Sequence, residues 1–178
     1  MAKNKSPFQY LSAAVDEILV PHIYLRGFED DERDIWKDDK RKHLSIRFLR
    51  WRGSDLDLLE IQYDKRHRPK FAVECGVAPS DGIDYCGYHY SQTSSSVHIT
   101  NRVRLHPNRL CPLWRFGFPL IKVPLIRNPS AQDIANQVVR LFPQVEEWLR
   151  NGVKGPNMAV IGVPGNNSKV MERKTRDD

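Results

Sequence analysis

The chain has 178 residues, of which 40% are hydrophobic and 28% charged, enough apolar material for one core of common size. No apolar run approaches the ~20 residues of a membrane-spanning helix, and the opening MAKNKSPFQY lacks the apolar stretch of a secretory leader. Three cysteines (Cys75, Cys86, Cys111) make a poor disulfide framework and point to the cytoplasm, while a net charge of +6 draws the chain toward nucleic acid, an anionic membrane or an acidic protein surface.

The first predicted element is a helix over residues 7–26, because Phe8, Leu11, Val15, Ile18, Leu19 and Ile23 recur at three- and four-residue spacing. Ser6 suits its N-cap and Pro7 its first turn. Pro21 predicts a kink near Val20, and Gly27 predicts the helix end. A short strand is expected at Ile35-Trp36. Three strands follow, over residues 43–51, 56–63 and 71–77, each alternating apolar with polar positions. The connections between these three are short, which favours antiparallel hairpins.

Residues 79–92 read as a loop rich in Gly, Asp and Tyr, and 96–105 as a further strand. Five prolines between 106 and 129 predict irregular or short edge structure. A last helix is expected from 131 to 151, capped by Ser130 with Asp133 and ended by Gly152. The order helix, strands, helix implies an α+β domain, a curved and mostly antiparallel sheet with both helices on one face. The expected boundaries are a single domain over 1–152 and a polar, mobile tail over 153–178.

Four constellations bear on chemistry. Alternation places Arg47, Glu60, Gln62, Glu74, Arg102 and Arg104 on one face of the sheet, either as a hydrolytic pair of glutamates with anion-holding arginines or as cross-strand ion pairs. Cys86 and His89 form one close ligand pair where zinc sites show two, so neither a metal nor any cofactor is expected. Basic and aromatic residues interleave over 37–52, a pattern used by sheet-based nucleic-acid binders. The segment around Tyr85, Tyr88 and Tyr90 offers amphipathic side chains suited to protein contacts.

Further residues carry a family likeness: Leu25-Arg26-Gly27-Phe28 closing the first helix, Trp36, Ile61-Gln62-Tyr63, Phe71 and Val73 with Gly76-Val77, then Arg102 to Leu105 and Trp114. Over roughly residues 10–150 the chain resembles the uncharacterised bacterial domain family DUF 4304, with Trp36 standing where Phe is expected. That family has no settled activity, so the resemblance transfers no catalytic residue. Small α+β domains of this kind recur as immunity proteins beside secreted bacterial toxins, an analogy at the level of fold.

The expectation is therefore a non-enzymatic cytoplasmic protein that neutralises a toxin of acidic or mixed surface charge by direct binding. Arg47, Arg102 and Arg104 would supply charge complementarity, and Tyr85, Tyr88 and Tyr90 the anchors. The alternative is a nucleic-acid-binding module using the basic stretch 37–52.

Overall fold

The computed structural model describes residues 5–32, 44–85, 87–92, 102–109, 115–119 and 128–161. The chain enters helix α1 (Pro7–Ala14) through a reciprocal cap, in which Ser6 Oγ accepts from Gln9 N–H at 3.2 Å and Gln9 Oε1 accepts from Ser6 N–H at 2.7 Å. The irregularity expected at Pro21 takes the form of a π-helical turn, Val15–Leu19, followed by a short α2, Val20–Tyr24. Here the Val20 N–H donates to the Val15 carbonyl, five residues back. A widened turn gives the ring of Pro21 room over the preceding carbonyls, where a regular helix would clash.

Among the described residues seven strands form one open, antiparallel sheet. Strands β1 (Glu29–Asp30), β2 (Ser45–Arg52), β3 (Asp55–Tyr63) and β4 (Lys70–Ala78) follow one another across it. Next to β4 lie β7 (Val103–Leu105) and, at its first residues, β8 (Phe116–Gly117). A separate small hairpin pairs β5 (Ile83–Tyr85) with β6 (Tyr88–Tyr90).

The 21-residue helix α3 (Ala131–Asn151) has the expected cap, since Asp133 N–H donates to Ser130 Oγ and Ser130 N–H to Asp133 Oδ2. It stops at Gly152, whose φ of +69° is a left-handed conformation that costs glycine little.

The register explains the core. Phe48, Leu59, Cys75 and Val103 are successive cross-strand neighbours, as are Ile61, Val73, Leu105 and Met158. This face packs on Leu11, Val15, Leu19 and Ile23 from the N-terminal helical segment and on Ile134, Val138, Phe142, Val145 and Leu149 of α3. Both helices thus cover one face of an α+β sheet, as the order of elements implied. Phe71 stacks on Phe116 with ring centres 5.6 Å apart, which fixes β8 to the start of β4.

Two expectations change. The sheet does not end with α3, because residues Met158–Val160 form β9 and pair with β7. The segment past 152, read as a polar tail, thus begins inside the domain. Side chains and not periodicity hold it there: Gln144 Oε1 accepts from Asn157 N–H at 2.8 Å, and Asn157 Nδ2 donates to the His106 carbonyl at 3.1 Å. The described strand upstream of β2 is Glu29–Asp30, while Ile35 and Trp36 lie outside the described residues.

Candidate functional site

The face of the sheet opposite the helices carries the constellation singled out in the sequence. In register, Arg47 opposes Glu60, Glu60 opposes Glu74, and Glu74 opposes Arg104. Four strands therefore set four charges in one row, at the ~4.8 Å spacing of neighbouring strands. Arg102, two residues before Arg104 on the same side of the chain, reaches both carboxylates: its Nη1 donates to Glu74 Oε2 at 2.8 Å and its Nη2 to Glu60 Oε2 at 3.3 Å. Arg104 donates from Nε and Nη2 to Glu74 Oε1, at 3.0 and 2.6 Å. Arg47 Nε lies 3.5 Å from Glu60 Oε1.

Both glutamates are buried, with relative exposures of 4% for Glu60 and 3% for Glu74. A general acid or base needs an accessible carboxyl with a proton to give or take. These two carboxylates instead accept hydrogen bonds from arginines, so the ion-pair reading of this face is the one the geometry carries.

Beside the charged row, Leu49, Leu56, Leu58 and Ala78 form a small second apolar cluster on the same face. Trp51, which opposes Leu56, is 54% exposed at the end of that cluster. The β5–β6 hairpin is tied to this end of the sheet through Gln92, whose Nε2 donates to the Ser54 and Ala78 carbonyls at 2.6 and 3.0 Å. Tyr88 on the hairpin is 68% exposed. Tyr85 pairs with Tyr88 and Tyr90 with Ile83 along the hairpin backbone. Trp51 and Tyr88 thus give this end of the molecule exposed aromatic area.

The basic stretch 37–52 is divided by the fold. Lys37, Lys40, Arg41 and Lys42 lie outside the described residues. Arg50 and Arg52 point to the helix side and converge on Asp57, which has 0% exposure. Arg50 Nη2 donates to Asp57 Oδ2 at 2.8 Å and Arg52 Nη2 to Asp57 Oδ1 at 3.1 Å. Arg50 Nη1 also donates to Glu146 Oε1 and to the Arg26 carbonyl, while Arg52 Nη2 donates to the Leu149 carbonyl at 2.6 Å. These two arginines therefore link the sheet to the C-terminal ends of both helical segments.

Sequence reasoning missed Asp57, for which the signal was parity. Asp57 shares its side of β3 with Leu59 and Ile61, and Arg50 and Arg52 share theirs with Phe48. Three charges at core-side positions foretell a buried ion cluster.

Cys75 is buried in the core and His89 is exposed on the hairpin, while Cys86, His98 and Cys111 lie outside the described residues. Among the described residues no three His, Cys, Asp or Glu side chains gather around a common point, and no helix is long and apolar enough to cross a membrane. No family model, no curated protein and no solved structure matches the chain.

Proposed function

We propose that this chain is a non-enzymatic, cytoplasmic protein-binding domain of the immunity kind, which neutralises a cognate toxin by occupying its surface. One observation carries the reading. The two carboxylates best placed for hydrolysis are buried under arginines, on a face that ends at the exposed Trp51, and the hairpin tied near that end exposes Tyr88. Aromatic anchors beside a preformed polar surface suit protein recognition, because rigid groups lose little entropy on binding. The engagement of Arg50 and Arg52 with Asp57 and Glu146 weighs against the nucleic-acid alternative, which needs cations free to displace counterions from phosphates.

The test is affinity capture of the tagged chain from its native host at moderate salt, with and without nuclease treatment. A discrete partner retained in both halves, and lost with Tyr88→Ala or Trp51→Ala at unchanged melting temperature, is the expected result. Alanine at Tyr85 and Tyr90 extends the same series. Capture that disappears on nuclease treatment, or variants that lose stability and binding together, would overturn the proposal.

A further inference from the structure

We infer that Asn151-Gly152, the junction at which α3 ends, is a site of spontaneous deamidation gated by the last turn of the helix. An asparagine amide is most open to attack by the next backbone nitrogen when glycine follows, because glycine puts no side chain beside that nitrogen. Asn151-Gly152 is the one Asn-Gly pair in the sequence. It is also accessible. Asn151 is exposed, and a Cβ built at Gly152 would meet no described atom within 4 Å, so water and hydroxide reach the junction.

The chemistry needs no co-reactant but water. The Gly152 nitrogen gives its proton to hydroxide and bonds to Asn151 Cγ. The Cγ–Nδ2 bond breaks, and Nδ2 takes a proton from water and leaves as ammonia. Water then opens the resulting succinimide at either carbonyl, which yields aspartate or isoaspartate.

Two hydrogen bonds keep the reacting groups apart in the folded chain. The Gly152 N–H donates to the Trp148 carbonyl at 2.8 Å, and Asn151 Nδ2 donates to Glu147 Oε1 at 2.8 Å. Both bonds turn their groups back toward the preceding turn and away from each other. Attack therefore waits for the helix end to open, a local event far less costly than global unfolding. Arg52 holds the Leu149 carbonyl at 2.6 Å, which confines that opening to the residues beyond it.

The product does not fit the closed end. Aspartate at 151 sets a second carboxylate one turn from Glu147, where the helix dipole is already negative. Isoaspartate also adds a carbon to the main chain just ahead of the residues that lead to β9. Modification thus weakens the end of α3 and the seat of the last strand together.

The test ages the full chain in mildly alkaline buffer, natively and in guanidinium chloride. Mass spectrometry follows deamidation at residue 151, and enzymatic methylation counts isoaspartate. Conversion of the native chain is expected, slower than in denaturant by about tenfold or more. Glu147→Ala, at an exposed position, releases the Asn151 amide and should raise the native rate several-fold while leaving the denatured rate unchanged. Asn151→Gln, whose longer side chain disfavours the ring closure, should abolish the signal and so identify it. Asn151→Asp, which carries the charge of the product, should melt about 2 °C below the parent. The inference is overturned if residue 151 stays unmodified in the native chain while the denatured chain converts, or if the two convert at one rate. A Glu147→Ala rate equal to the parent's would remove the latch, and an Asn151→Asp melting temperature equal to the parent's would remove the structural consequence.

Discussion

Glu60 and Glu74 sit directly opposite each other on β3 and β4, two buried carboxylates in the one register position where like charges repel most. The arrangement holds because Arg102 donates to both, at 3.3 and 2.8 Å. Arg102→Met, which keeps the stem and deletes the guanidinium, is therefore expected to cost about 3 kcal/mol, the range for breaking one side of a buried ion pair. Adding Glu60→Gln should recover part of that loss. Urea denaturation of the single and double variants measures both, and additive effects would contradict the coupling.

Asp57 is the second point of concentrated charge. It accepts from Arg50 and Arg52, which in turn hold the Arg26 and Leu149 carbonyls at the ends of the two helical segments. Asp57→Asn removes the buried anion that the two guanidiniums share and is expected to destabilise by about 3–5 kcal/mol. Glu146→Gln, which removes only one arm of the cluster, should cost less. The reverse order in denaturation midpoints would show that Asp57 is not the centre.

Acid should weaken the turn after β3. Hydrogen bonding from Arg68, opposed by burial and helped by the Arg66 N–H, holds the Asp64 carboxyl down from its ordinary 3.8 to about 2. A carboxyl depressed on folding stabilises the native state at pH above its unfolded value, and that contribution is lost as the pH falls from 3.8 toward 2. The parent protein should therefore lose stability through this window, and Asp64→Asn should lose less of it. Melting temperatures of the two proteins from pH 5 to pH 2 decide the matter, and parallel curves would refute the assignment.

Gly117 is expected to be intolerant of any side chain. A Cβ there would lie 2.3 Å from the Pro69 carbonyl oxygen and 2.9 Å from Lys70 Cα, both backbone atoms that cannot swing aside. Gly117→Ala should lift β8 from β4, disturb the Phe71–Phe116 stack, and cost about 2 kcal/mol. A melting temperature equal to the parent's would show that the two strands have room to part.

The Cys75 thiol should be inert in the folded protein. Burial, then the nearby carboxylates of Asp57, Glu74 and Glu146, raise its pKa far above the ordinary value, which removes the reactive thiolate. In a Cys86→Ser/Cys111→Ser background, alkylation by iodoacetamide is expected to follow global unfolding. Rapid labelling under native conditions would place Cys75 in a segment that opens on its own.

Where a local rule carried the information, the sequence was legible. Alternation placed the long strands and put Arg47, Glu60, Glu74 and Arg104 on one face, and the capping chemistry of Ser130 with Asp133 marked the start of α3. Charges at core-side parity, Asp57 with Arg50 and Arg52, were also readable but are recognisable only as a set drawn from two strands. Strand β9 was not readable. Three residues show no period, and their place depends on Asn157 meeting Gln144 and the His106 carbonyl across the fold. Nor does alternation tell which arginine meets which carboxylate, since that depends on how side chains from neighbouring strands share Glu60 and Glu74.

The place of β9 also bears on the order of assembly. Strands β2, β3 and β4 complete their hairpins from neighbouring stretches of chain, but β7 receives its outer partner only after α3 has been made. On a ribosome adding ~5–20 residues each second, several seconds separate the synthesis of β7 from that of β9, its outer partner among the described residues. An unpaired edge is a template for other strands. A chain stopped after α3 would carry that vulnerability permanently, so the last described strand guards the nascent sheet against its neighbours on the polysome.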